Sequence, residues 1–253
     1  MRAQVVVAVG EIRAGAGELG RLSELAAEAD LWMGGVPAGA WIGGLSSPLR
    51  LLPAQKSTAM TNYDEQYQIE KNLFGSPYAE FETFVSQHAL RGGKALDLGC
   101  GQGRDALMLA EYGYTVTGVD SSHVGVAQMI DMAKARGLAV NGVVANLYDY
   151  QITETFDAIV LDSILHFAKA DRRKELALLD RLVSHINENG FLFLFVHRSR
   201  KKEKELKSWY ERVASDFELV KEGYIDYVYE EMATRFQSEF QFYMLILKRI
   251  RAG

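Results

Sequence analysis

From Met60 to Lys248 two hydrophobic periods alternate along the chain. Stretches in which apolar residues recur every three or four positions read as helices, and short unbroken apolar runs read as strands buried on both faces. Residues 63–74 and 77–90 are expected to form two helices ahead of the first strand. Lys94, Ala95 and Leu96 enter that strand, and Ala106, Leu107, Leu109 and Ala110 give the apolar stripe of a helix soon after it. Residues 115–119 read as a second strand. Val126, Ala127, Ile130 and Ala133 share one side of a helix over 122–136, and Gly137 ends it. Strands are expected over 140–145 and 156–161. Leu176, Leu179, Leu182, Val183 and Ile186 mark another helix, stopped at Asn189-Gly190, before a fifth strand over 191–196. A charged, exposed helix over 201–215 and a terminal antiparallel pair over 217–229 and 238–248 complete the pattern. Strands alternating with helices predict a parallel sheet covered on both faces.

The chemistry concentrates between the first strand and the helix after it. Residues 97–105 read Asp-Leu-Gly-Cys-Gly-Gln-Gly-Arg-Asp. Glycine has no Cβ, so Gly99, Gly101 and Gly103 suit unusual φ/ψ and close approach of a ligand. The helix that follows points free N–H groups and its positive dipole end at that ligand. Asp120 closes the second strand, where a carboxylate can accept both hydroxyls of a ribose; Ser121 and Ser122 open the next helix. These parts describe a nucleoside-cofactor site at the carboxyl edge of a parallel sheet. The dinucleotide fingerprint G-x-G-x-x-G fails at its last glycine, because position 104 is arginine. Asp97, beside the cradle, suits a ligand with cationic groups better than a diphosphate.

Residues 97–103 resemble the first motif of class I S-adenosylmethionine-dependent methyltransferases, and Asp120 resembles their ribose-binding acid. The resemblance covers roughly residues 60–250. It implies a Rossmann-like α/β fold whose sheet has seven strands, mostly parallel with an antiparallel last strand. It implies S-adenosyl-L-methionine as cofactor, its amino-acid end in the turn of Gly99, Cys100, Gly101 and Gly103 beside Asp97. It implies direct methyl transfer, and the glycine-turn sequence and short C-terminal part most resemble the tellurite-resistance and thiopurine-type small-molecule enzymes. Where related enzymes place an acid for the adenine amino group, this chain has Asn146, whose carbonyl still accepts that bond; Leu147 follows as a candidate for the adenine face. Tyr63 and Tyr67, four apart on the first helix, stand where similar enzymes fold a lid over the cofactor. Ser163 is a candidate for the pocket wall. Asp162 and His166 lie near the methyl group and acceptor; four apart, they share a face if the segment is helical. For His166 two roles are open, general base or orientation of the turn. Arg104, for an acidic acceptor or Asp97, and His197 are further candidates. His88 and His123 read as surface or packing residues. Of the late aromatics from Tyr224 to Tyr243, most read as sheet core.

Composition bounds the rest. The chain has 253 residues, 48% of them hydrophobic, and a formal net charge of -5 with a pI near 5.6. That balance argues against binding nucleic-acid backbones. The single cysteine, Cys100, excludes a disulfide framework and a cysteine metal cluster, so no metal is expected and a cytoplasmic protein is the default. Residues 1–59 differ in composition, rich in Gly and Ala and holding three of the four prolines. The uncharged run 31–49 contains five glycines and two prolines and makes a poor helix, so no membrane span is expected. Residues 1–59 read as an extension or upstream translation, poorly ordered, with Trp32 and Trp41 as docking candidates, and residues 60–253 as one catalytic domain. A monomer or homodimer acting on a small molecule is expected. The rival reading is a catalytically silent, cofactor-binding or partner-activating subunit on the same fold.

Overall fold

The computed structural model describes residues 63–231 and 236–250. The expectations for residues 1–59, including Trp32 and Trp41, lie outside the described residues. Seven strands form one sheet: β1 (Lys94–Leu98), β2 (Thr115–Asp120), β3 (Val140–Val144), β4 (Phe156–Asp162), β5 (Ile186–His197), β6 (Phe217–Glu231) and β7 (Phe236–Arg249). Their order is β3-β2-β1-β4-β5-β7-β6. The first five run parallel, and β7 inserts antiparallel between β5 and β6, as the resemblance implies.

Among the described residues six helices accompany the sheet: α1 (Tyr63–Ile69), α2 (Ala79–His88), α3 (Arg104–Glu111), α4 (His123–Arg136), α5 (Arg172–Val183) and α6 (Arg200–Val213). One core face joins Phe81 and Phe84 of α2, Ala106 and Leu109 of α3 and Met129 of α4 to Ala95, Ala158 and Phe193 of the sheet. The opposite face joins Leu178, Leu179 and Leu182 of α5 and Leu206 and Trp209 of α6 to Leu96, Leu98, Ile159 and Leu194. Strands covered on both sides explain the unbroken apolar runs in β4 and β5. Each fully buried large side chain contributes roughly 1.5–3 kcal/mol, so the central strands hold their carboxyl ends rigidly in place. Among the described residues no helix is long and apolar enough to cross a membrane.

Three local expectations are corrected. The first helix stops at Ile69, not at 74, because the chain turns through Gly75 at φ 58° and reaches Pro77 ahead of α2. The Asn189-Gly190 signal is not a helix stop. Helix α5 ends at Val183, Ile186 already pairs with Phe156, and Asn189 at φ 64° marks an irregularity inside β5, where pairing resumes at Phe191. Residues 163–171 form a loop rather than a helical turn, with Ser163 and Phe167 at φ 60° and 51°.

Candidate cofactor and active site

The strands β1, β2 and β4 deliver Leu98, Asp120 and Asp162 to one edge, and the glycine turn lies across it. Gly101 (φ 50°) and Gly103 (φ 87°) are left-handed, a conformation that L side chains rarely adopt. Space decides as well: a Cβ on Gly103 would stand 2.3 Å from Met129 Cγ, and one on Gly101 2.6 Å from the Tyr67 hydroxyl. The turn is thus clamped between α4 below and α1 above. Cys100 is buried, its backbone N–H donating to Val119 O at 3.2 Å and its thiol pushed up by burial, so its side chain is a packing element.

Asp120 sits where the sequence places it. One carboxylate oxygen accepts the Gly101 N–H at 2.9 Å and the other the Ser122 N–H at 2.7 Å. A carboxylate oxygen has two lone pairs, so each retains capacity for a hydroxyl donor. Burial raises its pKa, against the pull of those N–H groups. Ser122 caps α4 by accepting the Gly125 N–H at 3.0 Å, while Ser121 is exposed.

Asp97 is 2% exposed, and its Oδ2 has no hydrogen-bond partner among the described residues. Burial first, and the neighbouring Asp105 second, push its pKa well above the ordinary carboxylate range. The folded state binds this proton more tightly than the unfolded chain, so the contribution of Asp97 to stability is greatest below pH about 4 and falls as pH rises towards the folded pKa, by about 1.4 kcal/mol per pH unit. Asp97→Asn is therefore expected to lose that slope. Unfolding measured from pH 4 to 8 in the absence of ligand checks it; a difference between the two proteins that does not change with pH contradicts it.

Asn146 lies in the loop after β3, and its Oδ1 accepts the Tyr148 N–H at 2.9 Å. The carbonyl expected for adenine thus closes an Asx turn, leaving the amide as the outward group. Leu147 is half-buried and packs on the α5 face, and Arg181 holds the Leu147 and Tyr148 carbonyls at 3.2 and 3.1 Å. A cleft of about 350 Å³ opens beside Asn146, lined also by Tyr148, Lys174 and Arg181.

The acceptor side departs most from expectation. Asp162 and His166 do not share a helical face. Asp162 accepts hydrogen bonds from Arg104, from the Ser163 hydroxyl at 2.8 Å and from the Tyr78 hydroxyl at 3.3 Å. Arg104 also meets Asp105 through two bonds of 3.0 Å and lies 4.5 Å above the Tyr78 ring, so it is committed inside the protein rather than to Asp97. The loop after β4 is instead held by buried Glu175, whose carboxylate accepts the His166 and Phe167 N–H groups at 2.9 and 2.6 Å. Burial, then Lys202, lower the pKa of His166, with Asp171 opposing them. Burial, Lys202 and His166 push His197 down to about 3, and its ring lies 4.4 Å from that of Phe242. Both imidazoles are neutral at neutral pH.

Helix α1 supplies the cover. Buried Tyr67 stacks with Tyr63 at 5.7 Å, and both rings meet Phe74 at 6.4 Å. Asp64 pins the helix to the start of α4: it accepts from the Ser122 hydroxyl and the Val124 N–H at 3.3 Å and pairs with His123 at 3.0 Å. His123 is exposed, a surface residue as expected, and also a contact of this cover; His88 stacks on Phe84 at 4.1 Å, a packing role as expected. Tyr224 is exposed, while Phe242 and Tyr243 are core. Asp64, Tyr78 and Glu175 carry no local pattern that marks them; their contacts, to Ser122, Asp162 and the loop after β4, form only on folding. Among the described residues no group of three His, Cys, Asp or Glu side chains could hold a metal ion.

The sequence pattern of the family described as tellurite resistance protein TehB matches residues 61–222, from α1 into β6. The chain belongs to the TehB family. Among curated relatives it is 32% identical over 133 residues to a cypemycin N-terminal methyltransferase from a Streptomyces species, covering 51% of this chain and 52% of that protein. It is 31% identical over 98 residues to a probable S-adenosyl-L-methionine-dependent methyltransferase TehB from Haemophilus influenzae, covering 39% of this chain and 34% of that one. The chain thus spans about half or less of these two relatives' length. The crystal structure of TehB from Haemophilus influenzae superposes with a TM-score of 0.57 at 20% identity, covering 75% of this chain and 67% of that chain. The N-methyltransferase NodS from Bradyrhizobium japonicum, in complex with S-adenosyl-L-homocysteine, gives 0.57 at 15%, covering 74% and 97%. These likenesses establish the fold.

Proposed function

We propose that this TehB-family chain transfers a methyl group from S-adenosyl-L-methionine to a small-molecule acceptor. The observation that carries the reading is the paired carboxylates of β1 and β2 at the glycine turn. Asp120 retains lone pairs for two sugar hydroxyls, and the orphaned Asp97 Oδ2 is a buried acceptor beside a turn that admits close approach. Both features fit a cationic nucleoside and neither fits a diphosphate. When bound, the cofactor supplies a methyl group on a positively charged sulfur that leaves readily.

The protein's own residues then have three tasks. Asp120, Asp97 and the backbone of Gly99, Cys100, Gly101 and Gly103 hold and orient, with the Asn146 amide and Leu147 at the adenine end and Ser121 and Ser163 at the margins. Tyr63 and Tyr67 exclude water. Alignment of this kind is worth about 7–11 kcal/mol when the reacting groups are in a near-attack arrangement. A proton has to move only if the acceptor carries one at its nucleophilic atom, and the neutral imidazole of His166 is the group that takes it. His197, held near pKa 3 and packed on Phe242, is too weak a base for that step. Asp162 keeps Arg104 and Ser163 in place rather than acting as a base.

The family description, tellurite resistance, and the acidic charge balance both favour a small acceptor over a nucleic acid. The test is transfer of labelled methyl to a panel of chalcogen oxyanions, thiols, phenols and amines. Transfer to at least one is expected. Tight binding of S-adenosylhomocysteine without turnover across the panel would instead identify the silent-subunit reading.

A further inference from the structure

Gln102, between Gly101 and Gly103 of the glycine turn, is 7% exposed and has no task in the scheme above. Its side chain points away from the turn's ligand face and into the segment that follows α1. Its Oε1 accepts the Leu73 N–H at 2.9 Å, and its Nε2 donates to the Glu70 carbonyl at 2.7 Å and to Gln128 Oε1 at 2.7 Å. Gln128, on α4, in turn donates to the Tyr67 carbonyl at 2.7 Å. The two amides form a relay of four hydrogen bonds from the turn and α4 into residues 67–73.

Helix α1 needs such support. Its seven residues are far short of the roughly 12–15 at which an isolated helix becomes marginally stable in water. The last carbonyls of a helix lack partners within it, and the relay supplies one at Tyr67 and another at Glu70, just past its end. At the other end Asp64 binds the start of α4. These hydrogen bonds tie both ends of α1 to the turn and to α4, the elements that flank Asp120. Tyr67 reaches over Gly101 from the middle of this braced helix.

We infer that Gln102 is a positioning residue that couples the cover α1 to the glycine turn, so that release of cofactor requires the Gln102–Gln128 relay to open. The inference rests on the proposed cofactor site. A turn residue that reads its own lid makes the stability of the cover and the occupancy of the turn one equilibrium: a ligand that orders the turn strengthens the relay, and a broken relay loosens the ligand.

The experiment uses the full chain with S-adenosylhomocysteine as probe and the variants Gln102→Leu, Gln128→Leu and both together. In Gln102→Leu the dissociation rate of the probe is expected to rise at least tenfold. Amides of residues 66–74 are expected to exchange at least tenfold faster in the complex, while those of β1 and β4 keep their protection. The double variant is expected to release the probe no faster than about twice the rate of the worse single variant, as for two members of one relay. Gln102→Glu, which keeps the acceptor for Leu73 and loses the donors, should fall between. A release rate within twofold of the parent, or exchange that accelerates equally in β1 and α1, overturns the inference and leaves Gln102 a packing residue. Failure of the cofactor site itself looks different, because the parent protein would then not bind the probe at all.

Discussion

Arg104→Met is expected to lower the unfolding free energy by about 3–5 kcal/mol, the loss typical of breaking a buried ion pair by removing one partner. The Arg104 side chain is 13% exposed, and those of Asp105 and Asp162 are 6% and 8%. The guanidinium spans both carboxylates while its face rests on Tyr78. Methionine fills much of the same volume, so the loss is electrostatic rather than a cavity. Two buried carboxylates would then lose the cation that bridges them, and Asp105 would still act on buried Asp97. Arg104→Lys should recover only part, because a point charge cannot bridge two carboxylates in a planar fork. Against a typical total of about 5–15 kcal/mol, the Met variant sits near the edge of folding. Chemical denaturation checks it; a loss under about 1 kcal/mol, the range of exposed pairs, would mean that the cluster is solvated and not part of the core.

Much of the fold is legible in the chain because both signals it uses are local. The unbroken runs of β4 and β5 identify strands buried on two faces, and the apolar stripes of α3 and α4 identify their faces. The errors have a common cause. Gly75 and Pro77 shorten α1, and the Asn189-Gly190 pair sits inside a long strand, because turn residues report a backbone conformation without saying whether it ends an element or interrupts one. The glycine turn and Asp120 are legible for the same local reason: strand, turn and cap lie within 26 residues, from Asp97 to Ser122.

The acceptor side is not local. Asp162 and His166 invite pairing by their spacing, yet the left-handed Ser163 breaks the helical turn that the pairing needs. Asp162 answers instead to Arg104, 58 positions earlier, and the His166 backbone to Glu175. Gln102 reads as an arbitrary residue between two glycines until folding sets it against residues 70–73, 29 to 32 positions earlier. Contacts of this range carry no sequence period, so only the folded chain reveals them.

Asp120→Ala is the second large effect. The carboxylate accepts two backbone N–H groups now and, on the proposed reading, two sugar hydroxyls as well. Hydrogen bonds to a charged group contribute about 1.5–3 kcal/mol, so affinity for S-adenosylhomocysteine should fall by a factor of about 10–150. Asp120→Asn separates binding from folding, because its carbonyl can still hold one N–H while the charge is lost; it too should bind more weakly than the parent. Calorimetric titration of S-adenosylhomocysteine into the parent and both variants is the most direct measurement. The account predicts micromolar binding by the parent and at least a tenfold loss in Asp120→Ala at unchanged secondary structure. Equal affinity in parent and variant, or no binding by the parent, would contradict a nucleoside held at the end of β2.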